Sequence, residues 1–217
     1  MIAIIDYEMG NIGSVLKAFS YINCPAEEVT DPDKLKKYDN IVLPGVGAFP
    51  KAMDNLKKRN MDQAVKEEIK KGKNFLGICL GYQLLFESSE EDFSGTDDKT
   101  AVKGLCLLSG HVRKFNSESG LKVPQIGWNS IDSTDNTGIL HQFNGRYFYF
   151  VHSYYADVTN LNSTKNDVKS LNTYFSFTEY GKRFASAVEK DNIMACQFHP
   201  EKSGDDGIEL LRKWVKT

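Results

Sequence analysis

Cysteine is scarce in this sequence, four among 217 residues, and the four are scattered. Cys24, Cys79, Cys106 and Cys196 never form Cys-x-x-Cys, which excludes a zinc ribbon and argues against a disulfide scaffold. A reducing compartment is expected. An excess of one charge is also lacking: 27 basic against 29 acidic residues leave a net charge of −2, with no block of five like charges. Nothing in the electrostatics therefore points to nucleic acid or an anionic membrane. No apolar run reaches membrane-spanning length, and Met1-Ile2-Ala3-Ile4-Ile5 meets Asp6 before a signal-length segment can form. The expectation is a soluble, cytoplasmic protein. The 4 histidines have no metal-ligand spacing, so no metal is expected, and no motif calls for a cofactor. What is present, 41% apolar residues in one chain of domain size, allows a core burying roughly 70% of the unfolded surface. No repeat or linker interrupts it, and a single domain over residues 1–217 is expected.

Short apolar runs alternate with helix-period segments through the first eighty residues, which predicts an open, mostly parallel twisted sheet flanked by helices. Ile2 to Ile5 reads as the first strand, followed by an amphipathic helix carrying Ile12, Val15, Leu16 and Phe19 on one face. Ile41 to Leu43 and Phe75 to Ile78 repeat the cycle, with helices through Met53 and Val65 between them and an apolar helix over Leu84 to Phe86 after them. Beyond residue 88 the texture changes. Ser88 to Thr100 and Asn160 to Ser170 read as exposed loops, and an antiparallel, strand-rich C-terminal half is expected from Tyr147 to Tyr155, Tyr174 to Phe177, Phe184 to Glu189 and Ile193 to Phe198. Lys190-Asp191-Asn192 reads as a hairpin turn. A last helix starts after Ser203-Gly204, with Asp205 and Asp206 at its positive end.

The sharpest chemical feature is Gly77-Ile78-Cys79-Leu80-Gly81, which sits between a buried strand and a helix. That is a nucleophile-elbow pattern with cysteine in place of serine. The other three cysteines read as buried and inert. A thiol nucleophile needs a base and an orienter, and His199-Pro200-Glu201 offers both, Pro200 holding His199 extended so that residues 199 and 201 point to one side. The spacing alone serves a strand-ending turn equally well. His152 reads as packed in an aromatic strand, His111 and His141 as exposed. Pro44-Gly45-Val46-Gly47 offers unhindered amides for an oxyanion, with the Leu80 amide as a second donor. A dinucleotide loop would need glycine where Pro50 stands, and no Gly-Lys-Ser/Thr occurs, so both phosphate-binding readings fail.

Gly77-Ile78-Cys79-Leu80-Gly81-Tyr82-Gln83 together with Gln197-Phe198-His199-Pro200-Glu201 resembles the class I, triad-type glutamine amidotransferases. The likeness narrows to the glutaminase subunits of imidazole glycerol phosphate synthase through Asp6-Tyr7-Glu8-Met9-Gly10-Asn11, Pro44 to Phe49, Gly127-Trp128-Asn129, Tyr149 to Tyr155 and Glu201-Lys202-Ser203. Three positions depart from that pattern: Glu8 stands for Gly, Tyr82 for Met and Gln125 for His.

The resemblance implies that Cys79, His199 and Glu201 form a triad that hydrolyses glutamine to glutamate and ammonia. It implies Gln83, Glu91, Ser153 and Tyr154 as glutamine-binding residues, and Gly45, Val46 and Gly47 as the oxyanion side. It further implies a heterodimer with a (β/α)8-barrel cyclase, contacted by Asn11, Trp128 and Lys202, which uses the ammonia to make imidazole glycerol phosphate and an aminoimidazole ribotide in histidine biosynthesis. The chain length leaves no acceptor domain, so the ammonia is expected to pass to that second chain. Two other functions stay open on these residues: a paralogous ammonia donor for surface-sugar amidination, and a stand-alone γ-glutamyl amide cysteine hydrolase. A catalytically dead binding subunit is disfavoured by the complete triad.

Overall fold

Ile2 and Ile4 pack on one side of the first strand while Ala3 and Ile5 pack on the other, and all four are buried. A strand apolar on both faces must lie between two layers of helices. The computed structural model describes residues 1–91, 101–116, 120–133, 137–158 and 172–217. In chain order its elements begin with β1 (Ile2–Ile5), α1 (Ile12–Tyr21), β2 (Ala26–Val29), β3 (Asn40–Leu43), α2 (Phe49–Lys58), α3 (Met61–Lys70), β4 (Asn74–Ile78) and α4 (Leu80–Gln83). They continue with β5 (Ser88–Ser89), β6 (Val102–Lys103), β7 (His111–Lys114), β8 (Gln125–Ser130), β9 (Asp132–Ser133), α5 (Gly138–His141), β10 (Tyr147–His152) and β11 (Tyr154–Asp157). The last are β12 (Thr173–Glu179), β13 (Arg183–Lys190), β14 (Ile193–Cys196) and α6 (Gly204–Trp214).

Among the described residues, twelve strands join one sheet, whose parallel part runs β2-β1-β3-β4-β14 and continues through antiparallel β13 and β11. The last strand is thus in the middle. Because β14 returns to lie beside β4, with Ala195 opposite Gly77 and Cys196 opposite Ile78, residues just beyond 196 must end next to Cys79. The end of the molecule closes over the elbow. Trp214 of α6, 2% exposed, meets Phe19 of α1 at 5.9 Å and seals one face of the sheet.

Several elements differ from the sequence reading, each for a local reason. β2 has no apolar signal, because Glu27 and Glu28 face solvent on an edge strand. The helix after Cys79 is a single turn. Leu84, Leu85 and Phe86 do not extend it, because their carbonyls accept amides of the 105–108 segment instead, Leu105 to Leu84 at 2.8 Å and Leu107 to Leu85 at 2.8 Å. Tyr147 to Tyr155 is two strands rather than one: β10 pairs with β8 in a separate two-stranded sheet, β11 joins the main sheet, and Ser153 is the junction. Ser88 and Ser89 form a paired strand, with Ser89 fully buried, whereas residues 92–100 and 160–170 of the two expected loops lie outside the described residues. Cys106 is exposed at φ 55° rather than buried, since its own amide is drawn to the Phe86 carbonyl and turns the side chain outward. His141 is not exposed either: Nδ1 is buried at the end of α5. His111 is partly covered, with Nδ1 2.9 Å from the Ser88 hydroxyl. The Asp191-Asn192 turn joins β13 to β14 as the sequence indicates, Asp191 taking φ 51°.

Candidate active site

β4 is parallel, central and apolar, so the backbone leaving its C-terminal end emerges where open α/β sheets place their sites. There Cys79 adopts φ 54° and ψ −107°, a conformation that is strained for a residue with a Cβ. The Cys79 amide donates to the Cys196 carbonyl at 2.8 Å, and Gly81 packs so closely on β3 that a Cβ there would drive into the Leu43 carbonyl. The elbow is held from both sides. A helix of one turn carries little macrodipole, so the electrostatics around the thiol come from side chains.

Those side chains arrive from the end of β14. His199 is extended, but Glu201 reaches it through a 3-10 turn over Pro200–Lys202 rather than along a straight strand. His199 Nδ1 lies 2.8 Å from Glu201 Oε1, with the two side chains only 3% and 2% exposed. A carboxylate can only accept, so Nδ1 carries the proton and Nε2 is left to interact with Cys79. Burial alone would lower the His199 pKa. Hydrogen bonding to Cys79 and Glu201, with their charges, outweighs that penalty and carries it up to about 10. His152, by contrast, is pushed down to about 4 by burial, and its Nδ1 donates to the Tyr154 carbonyl at 2.7 Å. One imidazole is held charged and its neighbour neutral.

A cavity of about 330 Å³ opens over Cys79 and His199, and Gln83, Glu91, Ser153 and Tyr154 all line it. These four were expected to bind one substrate, and they surround one space. Glu91 also accepts the Phe49 amide at 2.8 Å, which places its carboxylate at the positive end of α2. Gln83 donates to both the Tyr154 carbonyl at 2.9 Å and Gln197 Oε1 at 2.8 Å, while Gln197 Nε2 is 3.7 Å from Cys79 Sγ. In the sequence Gln197 is only the first residue of the Gln197-Phe198-His199-Pro200-Glu201 motif. No periodicity marks it, and only the register of β14 against β4 brings it beside the thiol.

Val46, Gly47 and Leu80 line the cavity, but the Val46 amide donates to the Met9 carbonyl at 2.9 Å and the Leu80 amide to the Gly45 carbonyl at 3.3 Å. Two of the expected donors are thus engaged. Tyr7, fully buried, donates its hydroxyl to the Pro44 carbonyl at 2.9 Å, and a Cβ at Gly45 would overlap that hydroxyl. The segment is pinned at Pro44 while its exposed end, Val46, stands 41% open to solvent.

From Val151, which lines the cavity, an exposed apolar face extends along β10 and β8. Opposite residues of β8 and β10 share a face, so Trp128 meets Tyr149 and Ile126 meets Val151, with Tyr147 beyond. Ile126, Trp128 and Tyr147 are 56%, 53% and 58% exposed, whereas Phe148, Phe150 and His152 on the other face are buried. Asn11 and Lys202 are exposed, Asn11 as the cap of α1 and Lys202 as the last residue of the 3-10 turn after His199.

The three departures from the family pattern are accommodated. Glu8 at φ 67° pairs with Arg59, Tyr82 is buried with its hydroxyl on the Ala185 carbonyl at 2.9 Å, and Gln125 is buried opposite His152 at the start of β8. None reaches the cavity. Among the described residues no group of three or more His, Cys, Asp or Glu side chains could hold a metal ion, and no helix is long and apolar enough to cross a membrane.

The family model described as glutamine amidotransferase class-I matches residues 3–217. Curated relatives include an imidazole glycerol phosphate synthase subunit HisH of Caldanaerobacter subterraneus subsp. tengcongensis, 44% identical over 99% of this chain and 97% of that protein. Another of the same name from Sulfurimonas denitrificans is 45% identical over 100% and 98%. Among solved structures, one described as a glutamine amidotransferase (14% identity, coverage 100% and 98%) and PurLQS from Thermotoga maritima (18% identity, coverage 99% and 97%) each superpose with a TM-score of 0.69, and they show the shared fold. The chain belongs to the class I glutamine amidotransferase family and to its HisH branch.

Proposed function

We propose that this chain, as a single domain, is the glutaminase subunit of a cytoplasmic imidazole glycerol phosphate synthase in histidine biosynthesis. It hydrolyses glutamine and passes the ammonia to a (β/α)8-barrel cyclase partner. The observation that carries the reading is the buried Cys79, His199 and Glu201 constellation, whose cysteine and histidine line a cavity of about 330 Å³ together with Gln83, Glu91, Ser153 and Tyr154. In this mechanism the Cys79 thiolate attacks the side-chain amide carbon of glutamine, forming a carbon–sulfur bond and placing negative charge on the amide oxygen. As the intermediate collapses, the carbon–nitrogen bond breaks and His199 Nε2 gives its proton to the leaving nitrogen, which departs as ammonia. His199 then takes a proton from water. The hydroxide so formed attacks the thioester, and glutamate leaves as Cys79 recovers its electron pair. Glu201 keeps Nδ1 occupied, so that only Nε2 exchanges protons with the reactants.

Oxyanion stabilisation needs the Val46 amide to leave Met9 and turn toward the cavity. Val46 is exposed at the cavity mouth that Val151 of the apolar β8–β10 face also lines, where an apolar partner surface would dock, so we assign partner binding as the event that frees it. One missing oxyanion donor reduces turnover by about 10²–10³. Glutamine hydrolysis measured on the chain alone is therefore expected to be about a hundredfold slower than with saturating partner. Full turnover without partner would favour a stand-alone hydrolase. Trp128→Ala is expected to raise the partner Kd by about thirtyfold, as loss of an aromatic anchor does, with the turnover at saturation unchanged. An unchanged Kd by calorimetry would remove this face from the interface.

A further inference from the structure

We infer that Gln197 is the hydrogen-bond donor that orients and stabilises the Cys79 thiolate, the last link of an amide relay that begins at the Tyr154 carbonyl. The polarity of this relay follows from its first member. A backbone carbonyl can only accept, so the nitrogen of Gln83, not its oxygen, faces Tyr154 at 2.9 Å. The other hydrogen of that same nitrogen goes to Gln197, 2.8 Å away, and the atom receiving it must be the oxygen. Gln197 Nε2 is then turned toward Cys79 Sγ, at 3.7 Å, within reach of a sulfur acceptor. No alternative orientation of either amide keeps both contacts.

Position supports the assignment. Gln197 is fully buried, its backbone amide is tied to the Ser186 carbonyl at 2.8 Å, and the pairing of Cys196 with Ile78 puts it next to Cys79 in the adjacent strand. It is not among the residues lining the cavity, so its contact is with the nucleophile and not with substrate. His199 supplies a positive charge to one side of the sulfur; Gln197 supplies a neutral donor that keeps its hydrogen through the cycle. The same relay ties the thiolate to Gln83, a cavity residue, so that filling the cavity and aiming the sulfur act on one chain of hydrogen bonds.

The inference rests on Cys79 being the nucleophile, and alkylation of the full chain by iodoacetamide reads the thiolate whether or not turnover occurs. Cys79 modification is followed by peptide mass spectrometry, which separates it from exposed Cys106. Gln197→Met, similar in shape without a donor, is expected to slow alkylation at pH 7 by about tenfold. At high pH, where the thiolate forms without help, its rate is expected to rejoin the wild-type limit. Glutamine-dependent turnover with the partner should lose kcat by a larger factor than KM for glutamine rises. An unchanged alkylation profile, a rate reduced by the same factor at every pH, or a change in KM alone would each overturn the assignment. If the Gln197 variant loses its fold by circular dichroism, Gln83→Met decides: a smaller displacement of the profile in the same direction supports the relay, and none overturns it. Failure of the nucleophile reading itself would show separately, as full glutamine-dependent turnover in Cys79→Ala.

Discussion

Cys79→Ala is expected to abolish glutamine-dependent imidazole formation, by at least about 10⁴-fold, while synthesis driven by added ammonium salt continues in the same complex. The asymmetry follows from the division of labour. The thiolate is needed only to break the amide bond, and ammonia reaching the acceptor from solution bypasses that step. The strain of φ 54° is common to cysteine and alanine, since both carry a Cβ, so any loss of stability alongside the loss of chemistry comes from the removed sulfur's packing alone. A complex that still forms and still uses ammonia separates the two effects. Equal loss of both activities would show that Cys79 holds the assembly together and does not act as the nucleophile.

Glu201→Gln should lower kcat by about 10³–10⁴-fold with folding intact, because a neutral amide no longer fixes the imidazole tautomer or stabilises the imidazolium. The pH dependence gives the same substitution a second readout. In the wild type, burial opposes the charge on His199 but Cys79 and Glu201 raise its pKa to about 10, above the 6.5 of a free histidine. A group whose pKa is raised on folding contributes stability that is complete below pH 6.5 and is lost as pH climbs toward 10. Removing the carboxylate lowers the His199 pKa. The variant should therefore melt below the wild type at pH 6, and the gap should narrow in melts recorded above pH 10. A gap that stays constant across that range would mean Glu201 does not hold the histidine charged.

Some parts of this site could be read in the sequence because they depend on contiguous residues. The elbow needs glycines at 77 and 81 for reasons that operate within five residues, and His199 and Glu201 are two residues apart, so their meeting is local whichever backbone joins them. Other parts depend on long-range placement. That β14 inserts beside β4 is a topological fact with no signature in either strand, yet it alone brings Gln197 to Cys79. The same holds for the Met9 carbonyl. From the sequence the Gly45, Val46, Gly47 and Leu80 amides all read as oxyanion donors, but nothing local shows that Met9, 37 positions before Val46, and Gly45 already accept the Val46 and Leu80 amides. Edge strand β2 and the junction at Ser153 were invisible for a third reason: hydrophobic patterning registers burial, and Glu27, Glu28 and Ser153 are not deeply buried.

On the proposed function, ammonia made at Cys79 goes directly to a partner and does not escape to solvent. Glutamine carrying ¹⁵N in its side-chain amide, turned over by the complex in excess unlabelled ammonium, tests this through the mass of the imidazole product. Direct delivery predicts a product that keeps the label essentially undiluted in the wild type and carries none with Cys79→Ala. A wild-type product diluted to the isotope ratio of the bulk ammonium, or no imidazole product at all, would contradict it.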